Sequence, residues 1–395
     1  MRSNRLGVVG VLGVLAFSVN ASAVNVVIDY TYDTGNFFGA GNPNGAIAGQ
    51  QARDAMEAAA QYFSDITNDT FSEISTPGQF NGLFGGSVTW QWSLDFTHPT
   101  TGGNVTLIDQ TIAADAYPIY VGSRALSGST IGVGGPGGWG WSSNPSGGFS
   151  QNEIDQLTAI SDDFGDAVET RGETSGFANW GGAVAFDPAP GNPWHFDHTV
   201  DPVGGQNDFF STAIHELGHA LGFGTSSEWN ALSVGGVFTG SASNAAFGSN
   251  PPTTGGHLTN GTMSTVYGGT ATQEVSMSPS GSTGERTFFT ELDAAGLTDI
   301  GWDLTPPTLS LTGDLNGDGF VGIDDLNIVL GAWNQNVPPA NPLADPSGDG
   351  FVGIDDLNQV LGNWNAGTPP TASAIPEPGT LGLLVAGGLA LLRRR

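Results

Sequence analysis

Two histidines four residues apart, with a glutamate beside the first, stand at His215-Glu216-Leu217-Gly218-His219. On a helix that spacing places both imidazoles on one face, one turn apart, so that both reach a single ion. Glu216 is then next to the first ligand, where it can take a proton from a water that zinc acidifies toward neutrality. Such a water attacks a polarised peptide carbonyl, and the same carboxyl later passes the proton to the leaving amine. Ala213, Ile214, Leu217, Ala220 and Leu221 supply an apolar helix around the motif, and Gly222 supplies its stop.

A catalytic zinc takes three protein groups and keeps one open position. The chain has no Cys, which removes thiolate ligands, a disulfide framework and a Cys nucleophile. Six His occur, so outside the motif the candidates are His98, His195, His198 and His257, with a downstream carboxylate such as Glu291 as a further choice. His195 and His198 flank Asp197; they read as a second metal site, as cleft lining or as plain exposed loop residues.

A second chemistry is written twice. Gly-Asp-Gly-Phe-Val-Gly-Ile-Asp-Asp-Leu-Asn stands at 317–327 and 348–358, an offset of 31 residues that marks an internal duplication. Counting from Asp314, side-chain oxygens fall at loop positions one, three, five and twelve: Asp314, Asn316, Asp318 and Asp325. Gly319 takes the sharp turn and the Phe320 carbonyl takes position seven. The second copy offers Asp345, Ser347, Asp349, the Phe351 carbonyl and Asp356, with Gly350 at the turn. This is the ligand spacing of an EF-hand-type loop, so two calcium ions are expected. A short apolar-periodic helix leaves each loop, and none enters the first.

The elements that must hold the zinc motif follow from periodicity. A strand is predicted over 24–30, an Ala-rich helix over 46–63, strands over 117–121 and 182–186, and a last helix over 288–300 before Gly301-Trp302. The Gly-rich run 132–148, with Trp139 and Trp141 and no phosphate-loop Lys, reads as a flexible surface loop.

The run from His215 to Thr225, followed by Val275-Ser276-Met277-Ser278-Pro279, resembles the metzincin metalloproteases, and the matrixin group among them, over 181–302. The resemblance implies an α/β (α+β) catalytic domain with a mixed twisted sheet and an active-site helix, zinc-dependent cleavage of a protein or peptide substrate, and Met277 as the floor of the site. Where the matrixin pattern asks for a third His or Asp, this chain has Thr225, a poor zinc ligand. An insertion like that of the leishmanolysin-like metzincins would bring His257 to the ion by a longer path. The favoured zinc set is therefore His215, His219 and His257, with Glu216 as general base. The duplicated loops resemble a type I dockerin, a small α-helical module, which implies calcium and a cohesin-like partner. They depart from that family at Ile323-Asp324 and Ile354-Asp355, where dockerins display small hydroxyl residues.

Residues 1–23 join Arg2 and Arg5, an apolar run and Ala21-Ser22-Ala23, the layout of a secretory signal peptide. At the other end Pro376-Glu377-Pro378, an apolar segment and Arg393-Arg394-Arg395 resemble the PEP-CTERM sorting signal of Gram-negative bacteria. That resemblance implies transient membrane association, processing by an exosortase-type enzyme, and delivery to the cell surface or extracellular matrix. The expected plan is a signal peptide at 1–23, the catalytic domain at 24–305, a linker at 306–312, the calcium module at 313–366, a linker at 367–374 and the sorting segment at 375–395. With 38 acids against 9 bases, all of them Arg, the formal net charge of −29 excludes a nucleic-acid partner and suits divalent cations. The expected activity is that of an exported zinc metalloendopeptidase. The competing expectations are a noncatalytic, calcium-stabilised adhesion protein of the cell surface or matrix, and a dockerin-bearing subunit of a glycan-degrading assembly.

Overall fold

The computed structural model describes residues 23–200, 202–269, 271–306, 312–315, 320–337 and 342–366. The readings made on residues 1–22, on 307–311, on Asn316, Asp318 and Gly319, and on 367–395 lie outside them. The chain is mixed α/β, with several sheets and eight α-helices among the described residues, and divides into two compact units at Pro307 and Thr308.

The main strands of the first unit are β1 (Asn25–Asp29), β2 (Ser87–Thr97), β3 (Asn104–Ile108), β4 (Ala116–Ser123), β5 (Gly132–Pro136), β6 (Gly138–Ser146) and β7 (Gly182–Phe186). Its longer helices are α1 (Ala46–Ile66), α2 (Gln151–Thr170) and α3 (Phe209–Ala220). One four-stranded sheet runs in the order β1-β4-β7-β5, with β1, β4 and β7 parallel and β5 antiparallel on the edge. In a second sheet β2 is central and pairs antiparallel with both β3 and β6, placing Trp92 opposite Trp141 and Phe96 opposite Val105.

The alternation along β4 explains the layering. Tyr117, Ile119 and Val121 enter the main core with α1 and α3, whereas Tyr120 points into a second core with Trp90, Trp92, Leu94, Phe96 and Trp180. The first sheet therefore lies between helices on one face and the second sheet with α2 on the other. On α1, Ala52, Ala55, Met56, Ala59, Ala60 and Phe63 recur at helical spacing and form one buried stripe.

Two expectations change. The run 132–148 is not a loop: it forms β5 and β6, joined at Gly137. Glycines there allow close approach rather than flexibility, since a Cβ on Gly134 would collide with the Glu216 backbone and one on Gly137 with the Trp180 ring. The last helix of the unit starts at Glu291 instead of 288 because Thr290 caps it; its hydroxyl accepts from the Asp293 N–H, and Asp293 accepts from the Thr290 N–H in return.

In the second unit a helix over Ile323–Gly331 and another over Ile354–Gly362 leave the two loops, as the apolar periodicity predicts. Val321, Val329, Val352, Val360, Ala332 and Ala344 form its core. The halves interlock through their backbones: Asn334 donates to the Val352 carbonyl after the first helix, and Asn365 donates to the Val321 carbonyl after the second.

Candidate metal centre

Helix α3 carries the motif, and both of its ends are fixed by tertiary contacts. At its start Asp208 accepts hydrogen bonds from Ser211 N–H at 3.1 Å and Ser211 Oγ at 2.6 Å. Arg286 grips the same carboxylate with Nε at 3.0 Å and Nη2 at 2.8 Å, a buried bidentate pair. Phe209 packs among Phe37, Phe38, Phe186, Trp194 and Phe196. At its end the free carbonyls find partners: His219 O accepts from Thr225 Oγ1, Ala220 O from Tyr117 Oη, and Leu221 O from Trp302 Nε1. Thr225 thus closes the helix, and Gly222, at φ 96°, turns the chain away.

His257 reaches α3 through a detour. After Gly222 the chain forms short helices at Ser227–Leu232 and Ser241–Phe247, then returns through a hairpin of Thr253–Thr254 and His257–Leu258. Gly224 and Gly256, both at positive φ, lie so close that a Cβ on either would strike the other's backbone. That contact seats the His257 loop on the end of α3.

The three rings share one arrangement. Each Nδ1 faces a backbone carbonyl: His215 that of Ser276 at 2.7 Å, His219 that of Phe223 at 2.7 Å, and His257 that of Gly255 at 3.0 Å. A carbonyl only accepts, so Nδ1 carries the proton and Nε2 is left with its lone pair. Those lone pairs converge, with His219 Nε2 at 3.1 Å from His215 Nε2 and 2.9 Å from His257 Nε2. Burial lowers all three pKa values, His215 to about 4, His219 well below the usual range and His257 below it, which favours the neutral rings. Among the described residues this trio is the group of side chains placed to hold a metal ion.

Three unprotonated nitrogens facing one another repel unless a cation lies between them. A tetrahedral zinc shell with Zn–N near 2.0–2.1 Å has edges of roughly 3.3 Å, so the trio fits zinc in donor chemistry, and the two separations from His219 Nε2 come close to that edge. The proton on each Nδ1 is held by an outer partner, as in metal-binding imidazoles generally.

The outer partners lead to a residue that the sequence reading passed over. Asp293 is fully buried and accepts from Ser276 N–H at 2.8 Å, Met277 N–H at 3.1 Å and Thr290 Oγ1 at 2.7 Å. It fixes the turn whose Ser276 carbonyl orients His215. Burial raises its pKa to about 6 against these hydrogen bonds. Met277 is buried beneath α3, where a Cβ on Gly218 would meet its Sδ at 2.6 Å, and its carbonyl accepts from Leu258 N–H beside His257. The capping box Thr290–Asp293 was the available signal, a Thr-x-x-Asp string ahead of an apolar run.

Glu216 points from α3 under β5, 5% exposed. Burial pushes its pKa up to about 8, against a hydrogen bond from Gly134 N–H. A dication beside it would favour the carboxylate and counter that shift.

The other candidates lie elsewhere. His98 Nδ1 accepts from the N–H groups of Thr100 and Thr101 in the turn between β2 and β3. His195 Nε2 bonds the Val200 carbonyl, His198 stacks on Phe210, and Glu291 accepts from Gly268 N–H. In the second unit, Asp314 is buried, and Asp325 accepts from the N–H groups of Leu315 and Gly322. Asp345 accepts from Ser347 Oγ and the Gly348 and Gly350 N–H groups, Asp349 from Phe351 N–H, and Asp356 from the Ser347 and Gly353 N–H groups. The Phe320 and Phe351 backbones stand in short bridges.

No family model matches this chain, and comparison with curated proteins and with solved structures finds no match either.

Proposed function

We propose that this chain is an exported zinc-dependent endopeptidase of metzincin-like design, followed by a calcium-binding module. The observation that carries the reading is the convergence of three neutral Nε2 atoms beside a buried carboxyl, Glu216. His215, His219 and His257 would hold the zinc, which would supply Lewis acidity toward a peptide carbonyl and a water. Glu216 takes the proton of that water and delivers it to the leaving amine, while Gly134 N–H restrains its carboxylate. Among the described residues β5 pairs with β7 alone, and an extended peptide would add to its other edge. Asp293 and Met277 hold the floor.

The test pairs zinc content with digestion of an unfolded protein substrate. Glu216→Gln is expected to keep one zinc per chain and lose peptide hydrolysis by about 10²–10⁴-fold, the usual worth of a general base. Zinc bound by the parent chain with no cleavage under any condition would overturn the endopeptidase reading in favour of a noncatalytic surface protein.

A further inference from the structure

The chain has few cations, and those described are nearly all accounted for. Arg286 pairs with Asp208, Arg171 gives its Nε, Nη1 and Nη2 to three backbone carbonyls, and Arg53 lies over the Tyr30 ring at 3.7 Å. Arg124 differs. Its side chain donates once, from Nη1 to the Pro99 carbonyl at 2.9 Å, and among the described residues no carboxylate pairs with it. Partial burial lowers its pKa, and no neighbouring acid offsets that desolvation.

Arg124 lines a cleft of about 140 Å³ with Phe96, Thr97, Val133, Gly135 and Ala183. That is roughly the room of four or five waters, enough for one side chain. The cleft lies on the opposite face of β5 from the metal centre. A Cβ on Gly132 or Gly134 would meet Glu216, so Val133 and Gly135, which alternate with them, face the other way, toward Phe96 and Ala183 of the second core, and the backbone from Val133 to Pro136 borders the cleft. A peptide extended along the free edge of β5 alternates likewise, one side chain toward the metal side and the next toward Arg124.

We propose that the Arg124 cleft is a specificity subsite that takes the carboxylate of an Asp or Glu side chain from a peptide laid along β5. The inference rests on the endopeptidase reading for the course of the peptide. In a chain whose formal charge is −29, a partly buried guanidinium without a carboxylate partner is a local exception that discriminates by position.

The experiment measures binding by fluorescence anisotropy to zinc-loaded, full-length Glu216→Gln protein, so that no peptide is cut. The probes are C-terminally amidated peptides in which one Glu moves through successive positions, each beside its Gln counterpart. At one position, and not at its two neighbours, Glu is expected to bind about tenfold tighter than Gln, in keeping with a charge-assisted hydrogen bond. Adding Arg124→Gln should remove the preference, and Arg124→Glu should transfer it to Lys at that same position, with zinc content unchanged as the check on folding. Equal binding of Glu and Gln at every position, or a preference that survives Arg124→Glu, overturns the subsite. If these preferences hold while the parent chain cleaves none of the peptides, the subsite stands and the endopeptidase reading alone fails.

Discussion

At His215, His219 and His257 a backbone carbonyl takes the Nδ1 proton and leaves Nε2 facing the other rings. In the second unit's duplicated loops the carboxylates themselves take backbone protons: Asp356 holds the Ser347 and Gly353 N–H groups, and Asp345 those of Gly348 and Gly350. Both arrangements satisfy polar groups of the site. An imidazole does so with one nitrogen while the other stays aimed at an ion, whereas a carboxylate uses the same oxygens for both tasks. The first centre is therefore organised by the fold around it. The loops are organised by local turns, and an ion there would be coupled to the folding of a small core.

The sharpest way to break this contrast is His257→Ala. If the first centre is a preformed three-nitrogen site, zinc content measured by elemental analysis falls from one per chain to none, and unchanged content would move the third ligand elsewhere. Calcium removal tests the other half. A calcium-selective chelator is expected to abolish one of two thermal transitions of the full chain, that of residues 313–366, and leave the first unit intact; a chelator-insensitive calorimetric trace would refute the coupling. Asp293→Asn probes the outer support: one amide oxygen cannot serve the Ser276 and Met277 N–H groups together with Thr290, so zinc affinity in competition titrations should weaken about 10–100-fold. An affinity equal to the parent's would separate the turn from the site.

The smallest effect concerns pH and a residue that belongs to neither centre. Burial raises the Asp69 pKa from 3.8 to about 6. Between those values the native state holds a proton that the unfolded chain has lost, so this group's contribution is full below 3.8 and lost as pH rises through 6. Asp69→Asn, which keeps an acceptor for the Asp303 N–H, should stabilise the protein in urea at pH 7.5 and leave it nearly unchanged at pH 4. A variant no more stable than the parent at pH 7.5 would remove the burial argument.

Much of the scaffold was legible in the chain itself because its signals are local. Ala at helical spacing marks α1, short apolar runs mark β1, β4 and β7, and repeated Asp-Gly strings mark the two loops and the helices that leave them. The His-Glu-x-x-His spacing puts two imidazoles on one helical face whatever surrounds them. Tertiary structure decided the rest. His257 is 38 residues from His219 along the chain, and the mutual approach of Gly224 and Gly256, which no local pattern announces, brings it to 2.9 Å. The Gly-rich run 132–148 scans as a loop because glycine's backbone freedom is a local property. It forms β5 because only a strand without side chains on that face can lie against Glu216. Asp293, Ser276 and Met277 belong together for the same reason: hydrogen-bond partners that satisfy buried groups are chosen by proximity in space, and sequence distance carries no information about it.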